Sequence, residues 1–339
     1  MVATGLSVVR AKAWWIRIWD FPRVQVATVG LVGLMLWAAD GPWREPPGVY
    51  FTGALTVALV YQIGMVWRYT PLAPREVQAA AEPASPNRLS LVVSNVLQKN
   101  RSWEHLLGVL RDADADLVLC VETDDWWHER LERLRDTHPH ALQCVLPNTY
   151  GMLLYSRHPL EGTSIEFLVE RDVPSMHATV CIPGGLRVSL HCIHPRPPAP
   201  SEVDESTERD AELILVGRRV ADEELPVVVC GDLNDVAWSR TTRLFQKTSG
   251  LVDPRKGRGF LSTFHARYPP LRYPLDHVFH SPDFRLITMR RLPYVGSDHF
   301  PVFAALSYEP VAAQEQSAPE PTHRDKREAD ETTRRANAR

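Results

Sequence analysis

Residues 226–235 read Pro-Val-Val-Val-Cys-Gly-Asp-Leu-Asn-Asp, and this stretch decides the fold. The unbroken β-branched run predicts a buried strand, and the glycine and polar residues after it predict that the strand ends at a sheet rim. Asp232 and Asn234 are two residues apart, so an extended chain presents both side chains on one side. A carboxylate beside an amide suits a phosphate group and its metal ion. A strand followed by an ordinary Asp/Asn turn is the alternative for this stretch alone.

The same pattern, an apolar strand that ends in a polar residue, recurs between residues 87 and 310. Any one such end is a weak signal, because a carboxylate there is usually a helix cap or a surface group. Several of them beside residues 226–235 predict strand ends that converge on one active site. These polar residues are Asn95, Glu122, His194, Asp276, Asp298 and His299, with His191 as an alternative to His194.

Composition limits the class of protein. Hydrophobic residues make up 44% of the 339 residues, which is enough for a large core, and the alternation of many strands with few helices predicts packed sheets covered by helices. The net charge is −3, and residues 87–310 hold more acidic than basic side chains, which argues against a broad nucleic-acid surface. The five cysteines show no CxxC or Cys/His spacing and indicate reduced core residues.

The N-terminal part is predicted to meet a membrane. Residues 1–23 form a basic and aromatic segment typical of a bilayer interface, and uncharged apolar stretches follow at 24–39 and 49–67. These stretches predict two transmembrane helices within residues 24–67, although the first is short for a bilayer. Two buried helices of a soluble protein are the alternative. The distribution of arginine and lysine predicts that both ends of the chain face the cytoplasm; if only the second stretch spans, the domain lies outside.

The remaining chain divides into three parts. Residues 68–86, rich in alanine, glutamate and proline, predict a linker. Residues 87–310 form the predicted catalytic domain, which we expect to fold alone as the segment from Arg88 to Pro310. Residues 311–339 are polar and charged without hydrophobic periodicity, and predict a disordered tail.

The ordered set of strand ends resembles the endonuclease/exonuclease/phosphatase superfamily, which has the deoxyribonuclease-I-like fold, and specifically a membrane-anchored bacterial-type member. The resemblance covers residues 87–308. It implies an α/β (α+β) fold, a four-layer sandwich of two packed mixed β-sheets flanked by helices. It also implies hydrolysis of phosphoesters that depends on Mg²⁺, with Mn²⁺ as a possible substitute.

The resemblance implies a role for each matching residue. Glu122 corresponds to the principal metal ligand, Asn95 helps to hold metal and phosphate, and Asp298 is an extra acid near the metal. Asp232 positions the attacking water, while Asn234 binds the phosphoryl oxygens. Three further residues complete the set: His194, which contacts the phosphate, and the acid–histidine pair Asp276 and His299.

Two other classes of protein remain open. A membrane-tethered binding module could keep this fold without catalysis, although such proteins usually lose the metal acid, the G-D-x-N pair or the last histidine. A zinc hydrolase is a weaker alternative, because no HExxH motif appears and the candidate ligands are rich in oxygen.

The substrate is expected to be a small or lipid-borne phosphoester and not long duplex DNA, since duplex binding needs a wide basic surface. One basic patch, between Arg255 and Arg272, could frame the site.

Overall fold

The computed structural model describes residues 1–41, 43–81, 85–198 and 205–338. The strands in these residues are β1 (Arg88–Asn95), β2 (Leu117–Val121), β3 (His140–Cys144), β4 (Met152–Ser156), β5 (Leu160–Glu166), β6 (Ser175–Cys181), β7 (Arg187–Ile193), β8 (Val227–Asp232), β9 (Asp276–His280), β10 (Phe284–Arg291) and β11 (Val302–Tyr308). The helices are α1 (Val2–Val8), α2 (Trp14–Arg17), α3 (Arg23–Asp40), α4 (Pro46–Val66), α5 (Trp103–Ala113), α6 (Asp125–Leu131), α7 (Thr207–Ala221), α8 (Arg240–Ser249) and α9 (His323–Asn337).

The strands form two mixed sheets. The first has the order β10-β11-β1-β2-β4-β3, and the second has the order β5-β6-β7-β8-β9. Alternate residues of β1, such as Leu91 and Val93, face alternate residues of β8, such as Val228 and Cys230, across one fully buried core. The residues between them on β1 point outward to α5 and α6, while those of β8 point to α7 and α8. Two packed sheets flanked by helices were predicted, and this fold is confirmed.

One parallel pair of strands in each sheet positions the site. β1 runs parallel to β2 in the first sheet, and β7 runs parallel to β8 in the second. Parallel neighbours end at the same edge of a sheet, so polar residues that follow these four strands lie at one rim. The contacts of β8 with both β1 and β2 bring the rims of the two sheets together.

The apolar helices α3 and α4 pack antiparallel. Leu59 of α4 lies close to Gly30 of α3, and the indole Nε1 of Trp37 on α3 donates a hydrogen bond to the hydroxyl of Thr52 on α4. By length and composition, the helix at Pro46–Tyr69 could cross a membrane. The first apolar segment meets the same criteria only if Trp14–Asp20 and Arg23–Ala39, which are bent by 67°, count as one span. The membrane prediction therefore has support from one helix, and that support is weak.

The basic segment 1–23 was predicted to lie at a bilayer interface, but it packs on the domain. Arg17 and Arg23 are buried, and both pair with Asp20. The indole Nε1 of Trp238 donates to the carbonyl of Asp20 at 2.7 Å. Arginine is rarely buried without an acidic partner, and the pairing with Asp20 explains why these side chains leave the surface.

Residues 68–86 were predicted to be a linker, but the described part of this segment is integrated into the domain. Val77 is fully buried in the core between the sheets. Glu76 pairs with Lys256 at 2.8 Å and accepts the backbone N–H of Asp253 at 2.7 Å. Residues 82–84 lie outside the described part. Single side chains attach this segment to the domain, so its sequence shows no hydrophobic periodicity. For that reason its sequence is typical of a linker.

The tail at 311–339 was predicted to be disordered, yet α9 covers His323–Asn337 and packs on α7 and α8. Thr322 and Asp325 form a capping box at its start. Only Ala329 enters an apolar cluster, with Ile214 and Leu244, while ion pairs such as Lys247–Asp325 at 2.8 Å surround it. The helix has no large apolar side chains, so its sequence shows no apolar stripe, and mainly charged and polar contacts attach it.

Val77→Ala should lower the free energy of unfolding by about 1–3 kcal/mol, because it leaves a cavity in the core between the sheets. Leu72→Ala is the matched control, since Leu72 in the same segment is 78% exposed. Thermal unfolding of the full chain in detergent measures both. Equal melting temperatures for the two variants would mean that residues 68–86 are a linker after all.

Candidate active site

The ends of the parallel strands carry the predicted polar residues. Asn95 is the last residue of β1, and Glu122 follows β2. In the second sheet, His194 follows β7 and Asp232 ends β8, directly opposite Asp276 on β9. The loop before β11 adds the remaining acid and histidine.

The amide of Asn95 links the two sheets. Its Nδ2 donates to Glu122 Oε1 at 2.7 Å and to Asp232 Oδ2 at 3.0 Å. Its Oδ1 accepts the backbone N–H of Leu97 at 3.0 Å, which fixes the orientation of the amide. One buried side chain therefore holds a carboxylate from each sheet.

His299 lies between two carboxylates. Its Nδ1 is 2.8 Å from Asp276 Oδ2, and its Nε2 is 3.5 Å from Asp232 Oδ2. The backbone N–H of His299 donates to Ser297 Oγ at 3.0 Å. Together with Asn95, these contacts make a continuous polar series in the order Glu122, Asn95, Asp232, His299, Asp276.

The site separates the pKa values of its groups. Burial raises the pKa of Glu122 to about 7, although the hydrogen bond from Asn95 opposes the rise. Burial also raises the pKa of Asp232. Burial alone would lower the pKa of His299, but the charges of Asp276 and Asp232 outweigh it and raise the pKa to about 10. Burial lowers the pKa of His194 to about 4, so one imidazole is neutral and the other charged at pH 7.

Gly231 is required by the close approach of β7 and β8. Its φ is +148°, and a Cβ placed there would lie 1.8 Å from the carbonyl oxygen of Ile193. No side chain fits in that space. Asn234 also has a positive φ, +50°, and its backbone N–H donates to Asp232 Oδ1 at 2.9 Å. Its amide Nδ2 donates to the carbonyl of Pro195 at 3.0 Å, which places it beside the chain that carries His194.

The two candidate histidines of β7 have different positions. His191 points to the outer face of the second sheet, where it contacts His177 at 2.7 Å and Glu223 at 2.9 Å. His194 lies past the strand end, close enough for the charge of Asp232 to raise its pKa. Its buried Nδ1 has no hydrogen-bond partner among the described residues. His194 is thus the histidine at the rim, and His191 belongs to a separate polar cluster.

Asp298 is the most loosely held of the predicted residues. Its Oδ1 is 3.4 Å from Ser297 Oγ, and its backbone carbonyl accepts the N–H of Ala266 at 2.6 Å. Its charge nevertheless raises the pKa values of both Glu122 and His299. The carboxylate therefore borders the site without joining the hydrogen-bonded series.

The donor set fits a hard divalent cation. Asp232, Asp276 and His299 each offer a ligand atom within 4.8 Å of the others, and Asn95 connects Glu122 to this group. Asp276 Oδ1 is buried without a partner in the described chain. Carboxylates that are kept from ionising by burial favour a cation with oxygen ligands, such as Mg²⁺ or Mn²⁺. The Asp–His contacts make His299 more suited to proton transfer than to ligation, which leaves Glu122 as the main ligand candidate.

Two buried arginines, Arg209 and Arg255, hold the loop after β8, which is a role that sequence reasoning missed. Arg209 of α7 donates to the carbonyl of Asn234 at 2.8 Å and pairs with Asp235 at 3.5 Å. Arg255 pairs with Asp253 and contacts His277 Nδ1 at 2.6 Å, and His277 Nε2 in turn lies 2.9 Å from the carbonyl of Asp235. Arg209 gave no clear sequence signal, because it lies between Glu208 and Asp210 at the start of α7.

The basic patch from Arg255 to Arg272 does not frame the site as expected. Arg255 and Lys256 are buried in ion pairs, and Arg258 donates to the carbonyl of Val77 at 2.6 Å. Arg267 bonds to Tyr294 Oη at 2.9 Å. These side chains are close in sequence, but they point to different parts of the structure and serve mainly to attach loops.

A carboxylate and an asparagine at parallel strand ends, with an acid–histidine pair beside them, lie together at the rim of a two-sheet α/β fold. A model of the Endonuclease/Exonuclease/phosphatase family matches residues 94–299, and the chain belongs to this family. Family members are hydrolases that act on phosphoester bonds. No curated protein matches the sequence significantly.

Solved structures share this fold at low sequence identity. An endonuclease/exonuclease/phosphatase from Beutenbergia cavernae is 20% identical with a TM-score of 0.54, over 66% of this chain and 72% of that one. D. rerio TDP2 in complex with a single-strand DNA product is 16% identical with a TM-score of 0.55, over 65% and 99%. An endonuclease/exonuclease/phosphatase from Bacteroides vulgatus is 16% identical with a TM-score of 0.53, over 66% and 99%.

Asp276→Asn should lower the pKa of His299, because a neutral amide replaces a carboxylate that favours the imidazolium. In the wild type, the stability from this charged histidine is present below its ordinary pKa and is lost as pH rises through about 10. In the variant the loss should occur at lower pH. NMR titration of the His299 ring measures the change, with Asp283→Asn as a distant control. An unchanged titration would exclude Asp276 as the cause.

Proposed function

We propose that this protein is a membrane-anchored, Mg²⁺-dependent phosphoesterase that hydrolyses its substrate by direct attack of water. The observation that carries the proposal is the continuous series Glu122, Asn95, Asp232, His299, Asp276 at the rim of both sheets. No nucleophilic serine or cysteine is part of this series, so the reaction needs no covalent intermediate.

The proposed role of each residue follows from its charge. A divalent cation held by Glu122, with Asn95 and Asp298 beside it, would supply positive charge against the phosphoester. Asp232 accepts the proton of the attacking water or orients it. His299 is protonated at pH 7, and its Nδ1 bond to Asp276 leaves Nε2, which lies 3.5 Å from Asp232 Oδ2, to donate a proton to the leaving oxygen.

Neutral donors complete the site. His194 is uncharged at pH 7, and its ring still offers one N–H to a phosphoryl oxygen. Asn234, fixed next to His194 through Pro195, offers an amide to the same group. Donors in a buried cleft stabilise developing negative charge more strongly than donors in water.

A catalytically inactive binding module with the same fold is the competing function. Such a module has no need to keep both a metal carboxylate and a histidine whose pKa is raised for acid catalysis. Here the metal acid, the G-D-x-N pair and the terminal histidine are all present and connected by hydrogen bonds, which favours catalysis.

Hydrolysis should require Mg²⁺ or Mn²⁺ and stop in chelator. Glu122→Gln, Asp232→Asn and His299→Ala should each lower kcat by at least about a hundredfold while leaving the fold intact. Glu129→Gln is the control for Glu122→Gln, because Glu129 lies on the surface of α6. The assay uses the full chain and a generic phosphodiester. Full turnover in chelator would refute the metal mechanism.

We also propose that the substrate is a small or lipid-borne phosphoester. The domain is acidic overall, and its main basic patch is used in internal ion pairs, which supports a site for one phosphate group and not for a long duplex. The neighbouring apolar helices would keep the cleft near lipid phosphates. The similarity to D. rerio TDP2, which was solved with a single-strand DNA product, makes short single strands the rival substrate.

Turnover of phosphoinositide, sphingomyelin-type and isoprenoid phosphoesters should exceed that of plasmid DNA at equal Mg²⁺. A single-stranded oligonucleotide belongs in the same panel. If DNA is cleaved fastest and cleavage falls steeply with salt, the protein is a nuclease and the lipid proposal fails.

The membrane proposal is that α3 and α4 span as a hairpin with both chain ends in the cytoplasm. Both the start of α3 and the end of α4 contact the domain: Phe21 packs on Tyr273, and Tyr69 Oη donates to the carbonyl of Ala237 at 2.6 Å. This arrangement supports two ends on one side. A reporter that works only outside the cytoplasm should be active when it is fused after Gly41. A reporter that works only in the cytoplasm should be active when it is fused after Ala338. The reverse result would overturn the topology.

A further inference from the structure

A cavity of about 760 Å³ lies where α3 meets the loop at 260–272, away from the catalytic cleft. Its apolar wall is formed by Val24, Thr28 and Val29 of α3, together with Trp238 and Phe260. None of the eight predicted site residues lines it. The volume falls within the range of ordinary ligand sites.

Two arginines face this cavity without an acidic partner. Arg272 and Arg291 both line it, and their guanidinium groups lie 5.1 Å and 4.2 Å from the centre of the Phe300 ring. Burial and the charge of Arg272 lower the pKa of Arg291. Each arginine bonds to a backbone carbonyl, of Ala266 and Ser262 respectively, but no carboxylate pairs with either in residues that the structure describes. Two like charges held together indicate a site for an anion.

Unsatisfied polar atoms point to the same place. Arg272 Nε and Gln25 Oε1 are both buried without a hydrogen-bond partner in the described chain, and both residues line the cavity. The Gln25 amide is fixed by its bond to the carbonyl of Pro270 at 2.7 Å. A buried donor on an arginine and a buried acceptor on a glutamine suit a ligand that has both an ionised oxygen and an O–H or N–H group.

The rim of the cavity is apolar and exposed. Val29 on α3 is 72% exposed, and Tyr268 and Leu271 on the loop are 58% and 52% exposed. α3 continues as an apolar helix beside α4, which is long enough to cross a bilayer. A ligand with its anion at the arginines would therefore extend a hydrocarbon chain along an apolar surface.

We propose that this cavity binds an anionic membrane phospholipid, with the phosphate at Arg272 and Arg291 and an acyl chain along α3. Paired guanidinium groups match the geometry of phosphate oxygens, and the free acceptor of Gln25 suits a hydroxyl of the head group. Phe300 connects the site to catalysis, because it contacts both arginines and follows His299 directly. The site does not require the proposed hydrolysis to occur.

Binding of dioleoyl phosphatidic acid to the full chain in detergent micelles tests the proposal. Native mass spectrometry, in chelator so that no metal supports the catalytic site, counts the lipid retained. Phosphatidic acid should bind at least about tenfold more tightly than dioleoylglycerol, which lacks the phosphate, and than inorganic phosphate, which lacks the chains. Equal affinity for inorganic phosphate would leave only an anion site and overturn the lipid assignment.

Variants separate this site from the catalytic cleft. The double change Arg272→Gln and Arg291→Gln should weaken phosphatidic acid binding by at least about tenfold, while Arg290→Gln, a neighbouring exposed arginine outside the cavity, should not. Thr28→Trp should fill the cavity and weaken binding similarly, with Leu31→Trp on the same helix as its control.

Asp232→Asn distinguishes the two proposals. Asp232→Asn should abolish hydrolysis and leave lipid binding intact if both are correct. If the double arginine variant and Thr28→Trp both bind phosphatidic acid as tightly as the wild type does, the lipid site is refuted, whichever substrate the enzyme hydrolyses. Loss of binding in Asp232→Asn alone would place the lipid in the catalytic cleft instead.

Discussion

The relative position of the two sheets at the active-site rim depends on one side-chain amide, that of Asn95. Asn95 ends a strand of the first sheet, and its single Nδ2 donates to a carboxylate on its own sheet and to a carboxylate on the other. Asp232 is buried and Glu122 is partly buried, and a buried carboxylate without a donor is costly. The relative position of the two sheets at this rim is therefore restricted to the small range in which both bonds can form.

The groups at that rim differ in charge at neutral pH, because burial and neighbouring charges shift their pKa values by different amounts and in different directions. The same low dielectric raises the pKa of Glu122 to about 7 and lowers that of His194 to about 4. Of the two histidines at the rim, only His299, with a carboxylate near each ring nitrogen, has its pKa raised, to about 10. A base, an acid and a neutral donor thus arise from ordinary residues, because each has a different number of charged neighbours.

The segments outside the two sheets are more closely attached than their composition indicates. The N-terminal helices contact the domain through Asp20, Phe21 and Tyr69, and α9 packs on α7 and α8. The N-terminal contacts reach the loop after β8, at Ala237 and Trp238, and the loop before β9, at Tyr273, and the first of these loops carries Asn234. If the apolar helices meet a bilayer, as proposed, these contacts offer a physical route by which a lipid surface could influence the site.

The sequence by itself determined the fold class and the candidate site residues. A β-branched run that ends in glycine and two polar residues has few uses other than a buried strand that opens at a rim, and its repetition identified the other strand ends. Asn95, Glu122 and Asp232 could be located because a buried strand and the polar residue at its end are local features that a sequence displays, whereas His299 lies in the loop before β11.

Only the tertiary structure decided which polar groups face each other. It placed His194 at the rim and His191 in a separate cluster, although they are only three positions apart, because the strand ends between them. It also showed that residues 68–86 and 311–339 are attached by single buried side chains and by ion pairs, which leave no periodic pattern. The arginines of the apparent basic patch diverge for the same reason: the direction of a side chain on a loop is set by distant partners, and neighbours in sequence do not encode it.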